Sequence, residues 1–208
     1  MRCPSARRCA VLVALSACGG AAPSAPEPET GPPDDGPSIV VTPELGSPHV
    51  GEVAPDFELT DQGGAPLKLS SLRGSVVMLA LVASWCPYST AEQPHLAQLA
   101  QEYAPKGVRT VAVVVADTEA GAKKYLDRVA MPFPVLRDAK DEVALAYDPE
   151  NALPSFKDRR KVVVTANLVL DRDGRIRFFT LADTTHFDAT LVHARRSLDD
   201  LLATPGPS

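Results

Sequence analysis

Residues 76–83 (VVMLALVA) are apolar without interruption, and no other feature constrains this chain as strongly. The run is well short of the roughly 18 residues a membrane-spanning helix needs. Its length and β-branched content suit a strand, and a strand that is apolar at every position must be covered on both faces. The chain around it supplies the cover. Residues 90–103 carry Leu96, Leu99 and Ala100 at helical spacing, 108–116 read as a second buried strand, and 119–129 as a second helix. A third strand is expected over 162–170, followed by an Asp171-Arg172-Asp173-Gly174 turn into 175–181, and 187–203 close as an amphipathic helix. Upstream, 56–60 and 66–69 flank Gln62-Gly63-Gly64, a hairpin signal. Strands alternating with helices define an α/β domain, placed at residues 51–203 with a short tail at 204–208.

The first 50 residues have a different character. Arg2, Arg7 and Arg8 precede a short apolar stretch, 10–17, that ends in Leu15-Ser16-Ala17-Cys18. This is the layout of an export signal, and the segment before Cys18 resembles the bacterial lipobox. That resemblance implies cleavage after residue 17, a diacylglyceryl group on Cys18, and a membrane-anchored chain in the cell envelope. With Gly19-Gly20 in place of Asp after Cys18, it favours the periplasmic face of the outer membrane. Residues 19–50 hold eight prolines, five acids and neither Lys nor Arg, so they read as an extended tether. Losing the three leader arginines takes the formal charge from −5 to −8. A chain so acidic, without a dense Lys/Arg face, argues against a nucleic-acid partner.

The chemistry is expected where the first buried strand meets its helix, at Ser84-Trp85-Cys86-Pro87-Tyr88-Ser89. A cysteine entering a helix N-terminus meets free amide N–H groups and the positive end of the helix dipole, both of which favour a thiolate. Ser89, one turn on, can donate its hydroxyl to that sulfur. A partly buried structural cysteine is the alternative on Cys86 alone.

Ala54-Pro55-Asp56-Phe57-Glu58-Leu59, Leu69-Ser70-Ser71-Leu72-Arg73-Gly74, the apolar strand and Trp85-Cys86 together resemble the thioredoxin-like superfamily, in particular its TlpA/ResA and AhpC/TSA redoxins. Glu92-Gln93-Pro94 falls where that family has Glu-x-Pro, and 168–174 (LVLDRDG) match its late strand and turn. The resemblance implies a central mixed sheet flanked by helices, with the hairpin as an N-terminal extension. It also implies thiol redox chemistry without a cofactor, and as partners an external thiol reductant or envelope protein disulfides.

Two positions depart from the family. Its Cys-x-x-Cys is here Cys86-Pro87-Tyr88-Ser89, so the resolving cysteine is a serine. Cys3 and Cys9 leave with the leader and Cys18 is blocked, so Cys86 becomes the one free thiol of the mature chain. The cis-proline position, counted back from Asp171, is Thr165; Leu153-Pro154-Ser155 is a rival for it. A lone thiolate can exchange with a disulfide or attack a peroxide. Three readings stand: exchange through mixed disulfides, one-cysteine peroxidase, and a redox-inactive binding module. The peroxiredoxin motif needs Pro at 79 and Thr or Ser at 83, where this chain has Leu79 and Ala83. Cys-Pro-Tyr also resembles the start of the glutaredoxin motif.

Further residues carry lesser expectations. Trp85 shapes the approach to the thiol or packs in the core. Tyr88 is expected exposed at the loop tip, His95 as a surface or packing residue, and Asp171 and Asp173 as turn formers. His49, His186 and His193 have no neighbouring ligands, so no metal site is indicated. Arg159, Arg160 and Lys161 form a local positive run.

Overall fold

The computed structural model describes residues 50–147, 165–181 and 188–204. The chain divides into two units, Met1–Gly36 and Pro37–Ser208, and every described residue belongs to the second. The leader, Cys18, His49, His186, Leu153-Pro154-Ser155 and the positive run at 159–161 lie outside the described residues.

The apolar run forms β3 (Val76–Val82), and all seven of its residues are buried. Val76, Met78, Ala80 and Val82 enter one apolar cluster, while Val77, Leu79 and Leu81 enter another on the opposite face. That is the two-sided cover a continuously apolar strand requires. β3 pairs in parallel with β4 (Val108–Val114), which pairs in parallel with β5 (Val135–Arg137). On its other side β3 runs antiparallel to β6 (Ala166–Leu170), and β6 to β7 (Ile176–Leu181). The order β5-β4-β3-β6-β7 gives the mixed sheet, with β3 central.

One face is covered by α1 (Pro87–Tyr103), α2 (Glu119–Leu126) and α4 (Val192–Ala203), through Leu96, Leu99, Tyr125, Ala194 and Leu198. The other is covered by α3 (Glu142–Ala146) and the N-terminal segment, through Val143, Tyr147, Ala54 and Leu69. That segment contains the expected hairpin, β1 (Glu58–Thr60) against β2 (Pro66–Lys68). Its turn reaches the edge of the main sheet: the Gln62 amide donates to the Val135 carbonyl, and the Val135 amide donates to Gln62 Oε1 at 2.7 Å. Among the described residues no helix is long and apolar enough to cross a membrane.

Several boundaries move for local reasons. α1 begins at Pro87 rather than residue 90, because proline's fixed φ suits the first helical position and its missing N–H costs nothing there. α4 begins at Val192 rather than residue 187. Leu191 takes a left-handed conformation, φ 59°, and Asp188 Oδ2 accepts the His193 amide at 2.8 Å, so the chain turns before it coils. α2 stops at Leu126. β5 and α3 leave no signal in the sequence: three and five residues are too few to show a period.

Candidate active site

β3 delivers the chain to Cys86, which takes the N-cap position of α1 with extended backbone (φ −80°, ψ 120°). Its carbonyl accepts the Thr90 amide at 3.1 Å and the Thr90 hydroxyl at 3.0 Å. The side chain makes no capping hydrogen bond, and the first turn of α1 carries no acidic residue. The positive end of the helix therefore lies at the sulfur, with no carboxylate in the first turn of α1 to offset it. Cys86 is 5% exposed. It is the one free cysteine among the described residues.

Thr165, immediately before β6, meets it from across the junction, with Oγ1 3.4 Å from Cys86 Sγ. Both groups are buried, and either atom can be the donor. This is the position reached by counting back from Asp171. The Ser89 hydroxyl, on a residue 1% exposed, accepts the Ala83 amide at 3.3 Å and keeps its own proton to donate, while Thr165 Oγ1 is the group within hydrogen-bond distance of the sulfur. Ser89 thus ties the start of α1 to the end of β3.

Trp85 does not pack in the core. It is 56% exposed, and its Nε1–H donates to the Ala116 carbonyl at 3.0 Å, which fixes the indole on the loop after β4, one residue along the chain from the buried thiol. Ala116 itself has φ 43°, unusual for a residue with a Cβ. It is held there by Trp85 on its carbonyl and by Asp141 Oδ1 on its amide, while the Ser84 amide donates to Asp117 Oδ2 at 2.7 Å. The loop between β4 and α2 thereby braces the loop that carries Cys86. Tyr88 is half-buried in the first turn of α1, not exposed at a tip. His95 is half-buried further along the same helix.

A second rung of the same junction carries a pair without an assigned role in the sequence reading. Glu92 is 6% exposed, and the Asn167 Nδ2 amide donates to its Oε2 at 2.9 Å. Asn167 shares a face of β6 with Thr165, so Cys86–Thr165 and Glu92–Asn167 are successive contacts between α1 and β6. Burial pushes the Glu92 carboxyl up to about 7; the Asn167 hydrogen bond pulls it back and the charge of Asp188 adds to the rise. A lone amide in an otherwise apolar strand was the available signal, but its partner stands 75 positions away in sequence. Gln93 adds a brace, its Nε2 donating to the Tyr125 carbonyl at 2.7 Å.

A mixed sheet with β3 at its centre, helices on both faces and a thiol where the central strand enters α1 is the thioredoxin-like architecture. The AhpC/TSA family model matches residues 50–179, and the chain belongs to that family. It is 36% identical over 99 residues to the thiol-disulfide oxidoreductase ResA of Geobacillus kaustophilus; the match covers 48% of this chain and 57% of that relative's length. Among solved structures, a putative thiol:disulfide interchange protein DsbE from Chlorobium tepidum superposes with a TM-score of 0.55 at 28% identity, covering 72% of this chain and 97% of that one. The peroxidoxin BcpB from Mycobacterium tuberculosis superposes with a TM-score of 0.57 at 25% identity, covering 76% and 98%.

Proposed function

We propose that this protein is a thiol–disulfide oxidoreductase that works through Cys86 alone. The observation carrying this reading is the pairing of a thiol at the N-cap of α1 with a serine, not a second cysteine, one turn later. The Cys86 thiolate attacks one sulfur of a substrate disulfide; a new S–S bond forms, the old one breaks, and the other substrate sulfur leaves as a thiolate. A second, external thiolate then attacks the mixed disulfide at the substrate sulfur and releases Cys86. Trp85, fixed and exposed one residue along the chain from the buried sulfur, is the surface on which a substrate chain would rest. Similarity to ResA and to the DsbE-like structure favours this chemistry.

Peroxide reduction is the second reading, and Thr165 favours it: a hydroxyl 3.4 Å from the sulfur can hold a peroxide oxygen during attack. The thiolate would take one oxygen, leaving water or an alcohol, and an external thiol pair would reduce the sulfenic acid. Leu79 replaces the proline of the peroxidase motif and Ala83 its hydroxyl, both fully buried, so exchange is preferred. The lead sequence and Cys18 support a lipid-anchored location in the cell envelope, and Asp/Glu excess supports protein or small-thiol partners rather than nucleic acid.

The test is intact mass under non-reducing conditions, with the full chain mixed in parallel with a peptide bearing one disulfide and with stoichiometric hydrogen peroxide. A peptide adduct that dithiothreitol removes and Cys86→Ser lacks establishes exchange. Faster gain of one oxygen at Cys86 than at free cysteine makes peroxide the substrate. If neither reaction outpaces free cysteine, the fold serves as a binding module.

A further inference from the structure

A cavity of about 690 Å³ opens between α2, β5 and the turn of the β1–β2 hairpin, on residues that take no part in the chemistry at Cys86. Val114, Ala122, Leu126, Met131 and Leu136 make its apolar wall. Most of the charged groups lining it are already engaged. Lys123 holds Asp127 at 2.9 Å, and Asp61 Oδ1 accepts the amides of Gly63 and Ala65 at 2.8 Å each. Glu119 and Arg137, the last residue of β5, are the exceptions, and of the two only Arg137 is a cation. Its Nε–H is shielded from water and meets no acceptor among the described residues. A guanidinium donor removed from water is costly until an acceptor is supplied, and Arg137 lines the cavity.

We propose that this cavity binds a small carboxylate with an apolar body, the carboxylate pairing with the Arg137 guanidinium and the body lying against Leu126 and Met131. The volume falls within the roughly 300–1,000 Å³ typical of small-molecule sites. A planar carboxylate matches the guanidinium fork better than other anions of that size. The five apolar side chains on one wall favour a ligand with an apolar body over a bare inorganic ion. An added peptide strand is also excluded, because the hairpin already covers this edge: Gln62 bonds both backbone groups of Val135, and Asp61 bridges to Leu136.

Calorimetric titration of octanoate into the full chain tests the site, with octan-1-ol as the uncharged body of the same length. Saturable octanoate binding is expected, and octan-1-ol should bind more weakly. Arg137→Met should weaken octanoate by about tenfold or more, the loss of one charge-assisted pair. The same variant should melt no lower than the parent, since it removes an unmatched buried donor. Leu126→Trp, which fills the apolar wall, should abolish binding while leaving Arg137 in place. Absence of saturable octanoate binding overturns the proposal, as does binding that neither substitution reduces.

Discussion

Ser89 stands where a second thiol would let a mixed disulfide collapse within the chain, and its hydroxyl instead accepts the Ala83 amide. Under the exchange reading, release of substrate then depends on the concentration and identity of an outside thiol. Ser89→Cys should change that. The swap conserves volume at a fully buried position, and it weakens one backbone-to-side-chain bond, a cost of about 1 kcal/mol that a melting curve would register. In return the peptide adduct on Cys86 should clear without added dithiothreitol, and oxidised chain should lose two hydrogens by intact mass. An adduct as persistent as in the parent would mean that position 89 is too far from Sγ to act on it. Cys86 was legible because Trp-Cys-Pro closes an apolar strand ahead of a helix, and Thr165 only through the resemblance, which puts a residue facing the thiol just before the late strand. Ser89's bond to Ala83 was not, since Ala83 lies just past β3 and the contact forms only once the chain has turned into α1.

At the scale of elements, the α1–β6 junction holds a buried carboxyl, Glu92, that titrates near neutral pH. Glu92 has an ordinary value of 4.5, raised in the fold to about 7 by burial. Between those values the folded chain binds a proton that the unfolded chain has lost, so stability falls as pH rises through this window. The gap corresponds to about 3 kcal/mol. Glu92→Gln keeps an acceptor for the Asn167 amide and cannot ionise. It should flatten the dependence, matching the parent near pH 4 and exceeding it at pH 8 in urea melts. An unchanged slope would show that Glu92 reaches water in solution. The junction also shows why some elements escaped the sequence. β3 and β4 announced themselves through continuous apolar runs, and α1 through Leu96, Leu99 and Ala100. β5 owes its existence to pairing with β4 and to Gln62 of the hairpin, and α3 to Asp138, whose carboxylate accepts the amides of Glu142 and Ala144. Those are tertiary supports that no local period encodes.

For the whole molecule, the acidic charge and the lipobox-like segment bear on one question: what could hold the chain at a membrane. A net charge of −5, or −8 without the leader arginines, opposes attraction to anionic lipid headgroups. Adsorption by charge is therefore unfavourable, and no described helix can span. A diacylglyceryl group on Cys18 would supply two acyl chains at one point, which is the number that stable anchoring requires where a single chain binds only marginally. The expected behaviour follows from that difference. In a diderm bacterium the full chain should sediment with membranes, resist carbonate and high salt, and incorporate labelled fatty acid. Cys18→Ala should abolish the label and release the chain to the soluble envelope fraction, while Cys86→Ser should leave both unchanged. If Cys18→Ala still sediments, the apolar stretch at 10–17 is retained and holds the chain itself. If the parent is soluble and unlabelled, Cys18 carries no lipid and the anchoring reading falls.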